Sequence, residues 1–474
     1  MLHKKTIIIL SASVIALILV IIIIASLISK QKNSSNIISL PLVKSCSLSD
    51  ISSLLKNNIK TTVTISDKKQ ELDLFLIPDD YTLFITQQDI FFKNNDNSRI
   101  NKNSKNFYDF EFSQTVKLLT QRQKISFNRY SFARKAQDNF ILCEKDLCNE
   151  NSVQLNNIKF MLAEDPYDKV SGGIGLAFPS SFEEIDDTNI CNNLYNNKYI
   201  NKKIWYINYN KKDEKAELII GKYPYEVENK YEKADFTFFD IKDNKWDLEM
   251  IKILIGEDKD ENEENLIKEK KFIFVPDSSL IYGPYEYYDK IKSIFFNKYF
   301  KDKICTEHVF EIQLMEYLYI TCSTDIALKE FPPLVININK NNKFELTYED
   351  LFVKNDKDIL FLFMTNKEER YSEKWHMGEP FLKKYMPVYN QQEKKIGFYN
   401  VIYYYKTTYR ILGIVGYIFF VILCIILTLL VLYLYKKYKD RKIRKAALEM
   451  KIEEISSKLI ENKNENKVDE KENV

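Results

Sequence analysis

The chain has 474 residues, with 69 Lys and Arg against 67 Asp and Glu and a formal net charge of +2. That length exceeds what one hydrophobic core usually organises and implies two or more lobes. The balanced charge excludes a bulk electrostatic attraction to nucleic acid, and the many Asn-Lys patches read as solvated loops.

Residues 1–5 carry Lys4 and Lys5 and are expected on the cytoplasmic side. Residues 6–29 are almost continuously apolar, long enough to cross a bilayer as a helix. They could be a signal anchor or a cleaved signal peptide. The run exceeds the roughly 7–15 residues of a signal h-region and no small-x-small cleavage site ends it, which favours the anchor. Residues 30–60 read as a linker.

Alternation of apolar and polar residues then predicts strands at 61–66 and 72–77 around a polar turn at 67–70. Residues 94–106 are too polar to bury and read as a loop. One or two strands follow within 115–141, around a turn near 127–130, and another at 153–162. In residues 171–181, S-G-G-I-G-L-A-F-P-S-S, three of the chain's 10 glycines fall within four positions. Glycine this concentrated implies a close backbone approach or a positive φ, and no phosphate-loop spacing follows it. Residues 189–199 have helical spacing, and 204–209 with 217–220 read as a hairpin ending at Gly221. The second half continues with a strand-like stretch at 246–255, a charged insertion at 257–271, a helix at 285–299 and strands at 317–321 and 334–338.

Residues 411–435 form a second apolar segment, followed by K-K-Y-K-D-R-K-I-R-K. So basic a cluster beside a spanning helix marks the cytoplasmic side and attracts anionic lipid. The body is therefore expected in a lumen or outside the cell, with both termini cytoplasmic if the first helix is uncleaved. In the tail, 436–474, the apolar residues Leu448, Ile452, Ile455 and Leu459 predict an amphipathic helix over 442–462, able to pair with a cytoplasmic partner or lie on the membrane. Residues 463–474 are expected to be disordered.

Of seven cysteines, Cys424 lies in the second apolar segment and six fall in the body, an even set that suits an oxidising compartment. Cys143 and Cys148 are close enough to close one loop, Cys305 and Cys322 another, and pairing of Cys46 with Cys191 follows only by elimination. Three histidines and no C-x-x-C pair leave little basis for a zinc site, and no cofactor is expected.

Two stretches repeat one plan: L-D-L-F-L-I-P-D-D-Y-T-L-F-I at 72–85 and F-I-F-V-P-D-S-S-L-I-Y-G-P at 272–284. Each is a strand, then Ile-Pro-Asp or Val-Pro-Asp, a polar turn and a second strand, one per half of the chain. The closing segment, W-H-M-G-E-P-F-L-K-K-Y-M-P-V-Y-N-Q-Q-E-K-K-I-G-F-Y at 375–399, resembles the C-terminal signature of pepsin-like aspartic peptidases, W-I-L-G-D-x-F-L-R-x-Y-Y-x-V-F-D and I-G-F-A. Residues 171–179 resemble the family's D-G-I-L-G-L-A-Y-P. Residues 331–336 with 344–348 resemble its L-P-D-I-x-F passage and the tyrosine-containing stretch after it, and 65–70 stand where it has I-G-T-P-P-Q. The resemblance covers roughly 61–399. It implies a mainly β, bilobal pepsin-like fold with short helices, an N-terminal lobe at 61–230 and a C-terminal lobe at 231–406, flanked by the two membrane segments.

The family's chemistry needs two carboxylates sharing a proton at the cleft floor. Ungapped alignment puts F-D-T-G-S-S-N-L-W-V on L-I-P-D-D-Y-T-L-F-I and D-S-G-T-S-L on V-P-D-S-S-L, so the acid positions are Ile77 and Val275. Neither can ionise. Asp79 and Asp277 are symmetric candidates for a displaced pair, but two residues along a strand is a shift of roughly 5–7 Å. Pro-Asp is also an ordinary turn pair. Phe127 in S-F-N-R-Y is the stand-in for the flap tyrosine. The resemblance thus implies a membrane-anchored pseudopeptidase that binds a peptide or protein in its cleft. The alternatives are an active membrane-bound aspartic endopeptidase of the secretory pathway with an altered dyad, and a structural surface protein with a closed cleft.

Overall fold

The computed structural model of the protein describes residues 37–44, 50–55, 59–87, 107–124, 130–142, 153–166, 170–178, 187–209, 216–242, 245–256, 270–312, 315–339, 342–355, 358–367, 374–403 and 406–469. Residues 1–402 form one compact unit and residues 403–474 another.

The first half of the larger unit is built on an eight-stranded sheet. Its opening hairpin joins Lys60–Ile65 to Gln70–Ile77, in register from Lys60↔Phe75 to Ile65↔Gln70. Ser66 and Lys69, both at positive φ (66° and 53°), turn the chain between them. Leu72, Leu74 and Leu76 all point into the core, as the period of two demands. The long strands Tyr130–Leu142 and Val153–Pro166 close this sheet as an antiparallel pair.

The duplication seen in the sequence is a duplication of topology. In the first half, Gln70–Ile77 runs parallel to Gly172–Gly175, which pairs antiparallel with Leu83–Thr86, and that strand runs parallel to Val153–Pro166. In the second half, Lys270–Phe274 runs parallel to Lys374–Met377, which bridges antiparallel to Ile281–Tyr282, and that strand runs parallel to Phe363–Asn366. In each half a distant strand is threaded between the two arms of the strand–turn–strand unit.

A six-stranded antiparallel sheet joins the halves, in the order Ile38–Leu42, Ala216–Ile220, Ile204–Tyr209, Val388–Asn390, Lys395–Tyr399 and Phe236–Asp240. The seam is the pairing of Ile204–Tyr209 with Val388–Asn390, where Trp205 stacks on Tyr389 with ring centroids 3.8 Å apart.

Several expectations are revised. The stretch read as a linker contributes the strand Ile38–Leu42 to the joining sheet and the short helix Ile51–Leu55, because their apolar side chains are buried in the body. Residues 246–255 are two strands, Asp247–Met250 and Lys252–Ile255, which leave for different sheets at the exposed Ile251. The predicted helix at 285–299 runs on to Lys301 through a π-helical stretch, Lys292–Phe296, that carries Phe295 and Phe296 into an aromatic core. In the smaller unit one helix spans Lys406–Asp469, so residues 463–469, expected to be disordered, are helical. Leu448, Ile452 and Ile455 are exposed on it. Residues 6–29 lie outside the described ones, as do many side chains of 411–435; among the described residues no helix is long and apolar enough to cross a membrane. The polar loop at 94–106 and the insertion at 257–269 also lie outside them.

Cys305 and Cys322 form the expected disulfide, at facing positions of the hairpin that joins Cys305–Ile312 to Met315–Ser323. Cys191 does not pair. It is a free thiol, 1% exposed on the helix Ile190–Asn196 amid the apolar core, and burial pushes its pKa up to about 12. Elimination failed because burial, rather than parity, decides what a cysteine meets. Cys46, Cys143 and Cys148 lie outside the described residues. Alkylation of the unfolded, unreduced chain should therefore label Cys191 but neither Cys305 nor Cys322, as read by peptide mass. Cys305→Ser with Cys322→Ser should cost about 3 kcal/mol in denaturant titration, from a cross-link spanning 17 residues.

Candidate functional site

The candidate site is the pair of turns that close the two strand–turn–strand units. Each is locked by its own side chain. Asp80 Oδ1 accepts the Thr82 amide at 2.8 Å and the Thr82 hydroxyl at 2.9 Å. In the second turn Ser278 Oγ accepts the Leu280 amide at 3.2 Å and donates to the Leu280 carbonyl at 3.1 Å. A main-chain amide from the threaded segment then docks on the same residue's carbonyl: Ala177 N on Asp80 O, and Glu379 N on Ser278 O, both at 2.8 Å.

The threaded strands come so close that only glycine fits. A Cβ at Gly175 would lie 2.4 Å from Thr82 N, and one at Gly378 would lie 2.1 Å from Leu280 O. These contacts explain the glycine cluster at 172–175 and the glycine of W-H-M-G-E-P.

At the two positions that the sequence alignment gives for the acids the side chains are Ile77 and Val275. Ile77 is 4% exposed and packs with Phe84, Ala133, Met161 and Ala163, its Cδ1 lying over Gly173. Val275 is half-buried and donates its amide to Met377 O at 3.0 Å. Asp79 is exposed, Asp277 half-buried. Phe127 lies outside the described residues, and among those described no group of three or more His, Cys, Asp or Glu is placed to hold a metal ion.

Two acids beside the turns escaped the sequence reading. Asp80 is 5% exposed; burial raises its pKa, opposed by the two bonds from Thr82, with the nearby Asp79 raising it further. Its signal was the Asp-Tyr-Thr spacing of a side chain that bonds the amide two residues on. Glu379, 8% exposed, accepts Ser279 Oγ at 3.0 Å and pairs with Lys44 and Lys383. Burial alone would raise the Glu379 pKa, but the two ammonium groups overcome it and hold the carboxyl below its usual range. The acid itself was legible after Gly378. Lys44, 335 positions upstream, was not.

Beside the second turn lies a cavity of about 10 Å³, room for roughly one water, whose walls include Trp205, Tyr209, Pro276, Leu382 and Tyr389. The Lys44 ammonium sits 5.4 Å from the Tyr209 ring centre. Burial, with Glu379, Tyr389 and Asp277 nearby, keeps the Tyr209 phenol protonated well above its ordinary pKa.

Because its folded pKa is depressed, Glu379 contributes stability that is fully present above its unfolded value, about 4.3, and lost as pH falls through the folded value. Glu379→Gln should cost about 3 kcal/mol at pH 7 by leaving Lys44 without its counter-charge. The wild-type and variant stabilities should converge below pH 4 in denaturant titrations repeated across pH.

The turns, the threaded glycine strands and the joining sheet agree with the comparison to known families. The family model described as eukaryotic aspartyl protease matches residues 62–401, well over half of the chain. No curated protein sequence matches significantly. With its duplicated turn-and-threaded-strand frame intact around Ile77 and Val275, the chain belongs to the eukaryotic aspartyl protease family.

Proposed function

We propose that this family member is a membrane-anchored pseudopeptidase whose cleft binds an extended peptide or a protein segment without cutting it. The observation that carries the reading is the surroundings of Ile77. A side chain 4% exposed among Phe84, Ala133, Met161 and Ala163 occupies a place where a catalytic carboxylate needs polar partners and water. Asp79 and Asp277 are turn residues in this reading, and neither replaces the missing pair. The frame around both turns is kept, and the peptide in this reading lies in the cleft between the two halves.

Anchoring is supported by the sequence of residues 411–435 and by the exposure, on one helix, of Phe419, Phe420, Ile426, Leu430 and Leu434 ahead of the basic run at 436–445. In this arrangement the body lies on the lumenal or extracellular side, and the helical tail is available to a cytoplasmic partner.

Three measurements test the reading. The purified full chain should leave a mixed-sequence peptide library uncut between pH 4 and 7 by mass spectrometry, while retaining a subset of its peptides. Cleavage abolished by Asp79→Ala or Asp277→Ala would instead support the altered-dyad endopeptidase, and neither cutting nor retention would support a structural role. Ile77→Asp should lower stability by about 3 kcal/mol, the cost of a buried unpaired carboxylate, without creating activity. In cells the chain should stay in the membrane pellet through alkaline extraction, and deletion of 411–435 should weaken that retention.

A further inference from the structure

The helix Lys406–Asp469 runs without interruption, and from Tyr417 to Val474 the chain has neither glycine nor proline. Sharp helix kinks almost always need such a residue or a break in the hydrogen-bond ladder, so the tail continues the axis of residues 411–435. At 1.5 Å per residue, Leu448 stands about 20 Å beyond Tyr435 and Leu459 about 36 Å beyond it. The headgroup layer of a bilayer crossed by residues 411–435 is only about 5–8 Å thick. A membrane surface therefore does not reach this part of the helix.

Leu448, Ile452 and Ile455 are exposed on it, and Leu459 follows in the sequence. Steps of four, three and four are the a and d spacing of a coiled coil, a narrower stripe than a helix buries on a globular core. The same heptad fixes the flanks. Arg444 takes a g position and Glu449 the next e position, and both are exposed. A parallel second copy sets Arg444 in each chain against Glu449 in the other, which is charge complementarity of the chain with itself. Lys458, the last g residue, faces the like charge of Lys463, but it is held 2.9 Å from Glu454 of its own helix. Arg441 and Lys445 take the core positions one heptad earlier, so the seam begins at Leu448.

We propose that the tail is an interface between two copies of this chain, a parallel, in-register two-stranded coil over residues 448–459. This rests on reading residues 411–435 as an anchor, which gives both copies the same orientation. Confinement to one membrane also supplies the effective concentration that so short a seam needs. Pairing of the tails makes the body bivalent towards its partner.

The test is disulfide cross-linking of the full chain in isolated membranes, in a Cys424→Ser background with single cysteines placed along the tail. Leu448→Cys, Ile452→Cys and Ile455→Cys should double the chain mass on non-reducing gels. Their yields should exceed those of Met450→Cys, Glu454→Cys and Ser457→Cys, which point away from the seam, at least tenfold. All six positions are exposed, so the substitutions leave the body's folding untouched. Arg444→Glu should lower the Ile452→Cys yield about threefold, and adding Glu449→Arg should restore it. Equal yields around the helix, a maximum at 450, 454 and 457, or a charge swap that restores nothing overturns the proposal. Alkaline extraction of the same membranes separates the two readings. A flat pattern in chains that stay in the pellet overturns the pairing and leaves the anchor standing. A periodic pattern in chains that leave the pellet keeps the pairing and overturns the anchor.

Discussion

Two places with no room for a methyl group hold this protein's centre together. At Gly175 and Gly378 a strand arriving from a distant part of the chain passes against the backbone of a tight turn, and a Cβ at either would lie within 2.4 Å of a main-chain atom. Everything near the site follows from that contact. The turn must be closed by its own side chain, which Asp80 and Ser278 do. Each strand of the unit then pairs with the threaded strand, parallel on one side and antiparallel on the other. The halves are free to meet through a separate sheet, sealed by Trp205 on Tyr389.

The frame makes no demand for an acid at position 77 or 275. Its hydrogen bonds are main-chain bonds and turn closures, satisfied regardless of the side chain at the strand end. An apolar residue there removes the desolvation cost of a buried carboxylate, and Ile77 shows how fully that freedom is used. The charged groups that remain beside the second turn serve another purpose. Glu379 is buried with two lysines, one of them from the segment before the matched family region, and so ties the start of the body to its far end.

Much of this was legible in the sequence because it is local. The repeated strand–turn–strand pattern, the glycine cluster, the Cys305–Cys322 spacing and the 375–399 segment each report on a few neighbouring residues, and the strands expected at 61–66, 72–77 and 204–209 lie within two residues of Lys60–Ile65, Gln70–Ile77 and Ile204–Tyr209. What was not legible depends on pairings across long separations. The run at 30–60 looks like a linker until Ile38–Leu42 is seen beside Ala216–Ile220, and Lys44 looks like a surface lysine until Glu379 stands opposite. Cys191 was assigned by parity, which carries no information about burial. The break at Ile251 shows only as a change of phase, from buried Leu248 and Met250 to buried Ile253 and Ile255, which a strand-like reading of 246–255 passes over.

We propose that the family's frame is kept around a centre that cannot stabilise the transition state of peptide hydrolysis. The most direct measurement compares two ligands that differ by one group: a peptide with a tetrahedral hydroxyl in place of the scissile carbonyl, and its deoxy analogue. A dyad that does this chemistry binds the transition-state mimic about a hundredfold or more tightly than its ground-state counterpart. With Ile77 and Val275 at the centre the two should bind within about threefold of each other, from pH 4 to 7. A hundredfold preference for the hydroxyl would contradict the account.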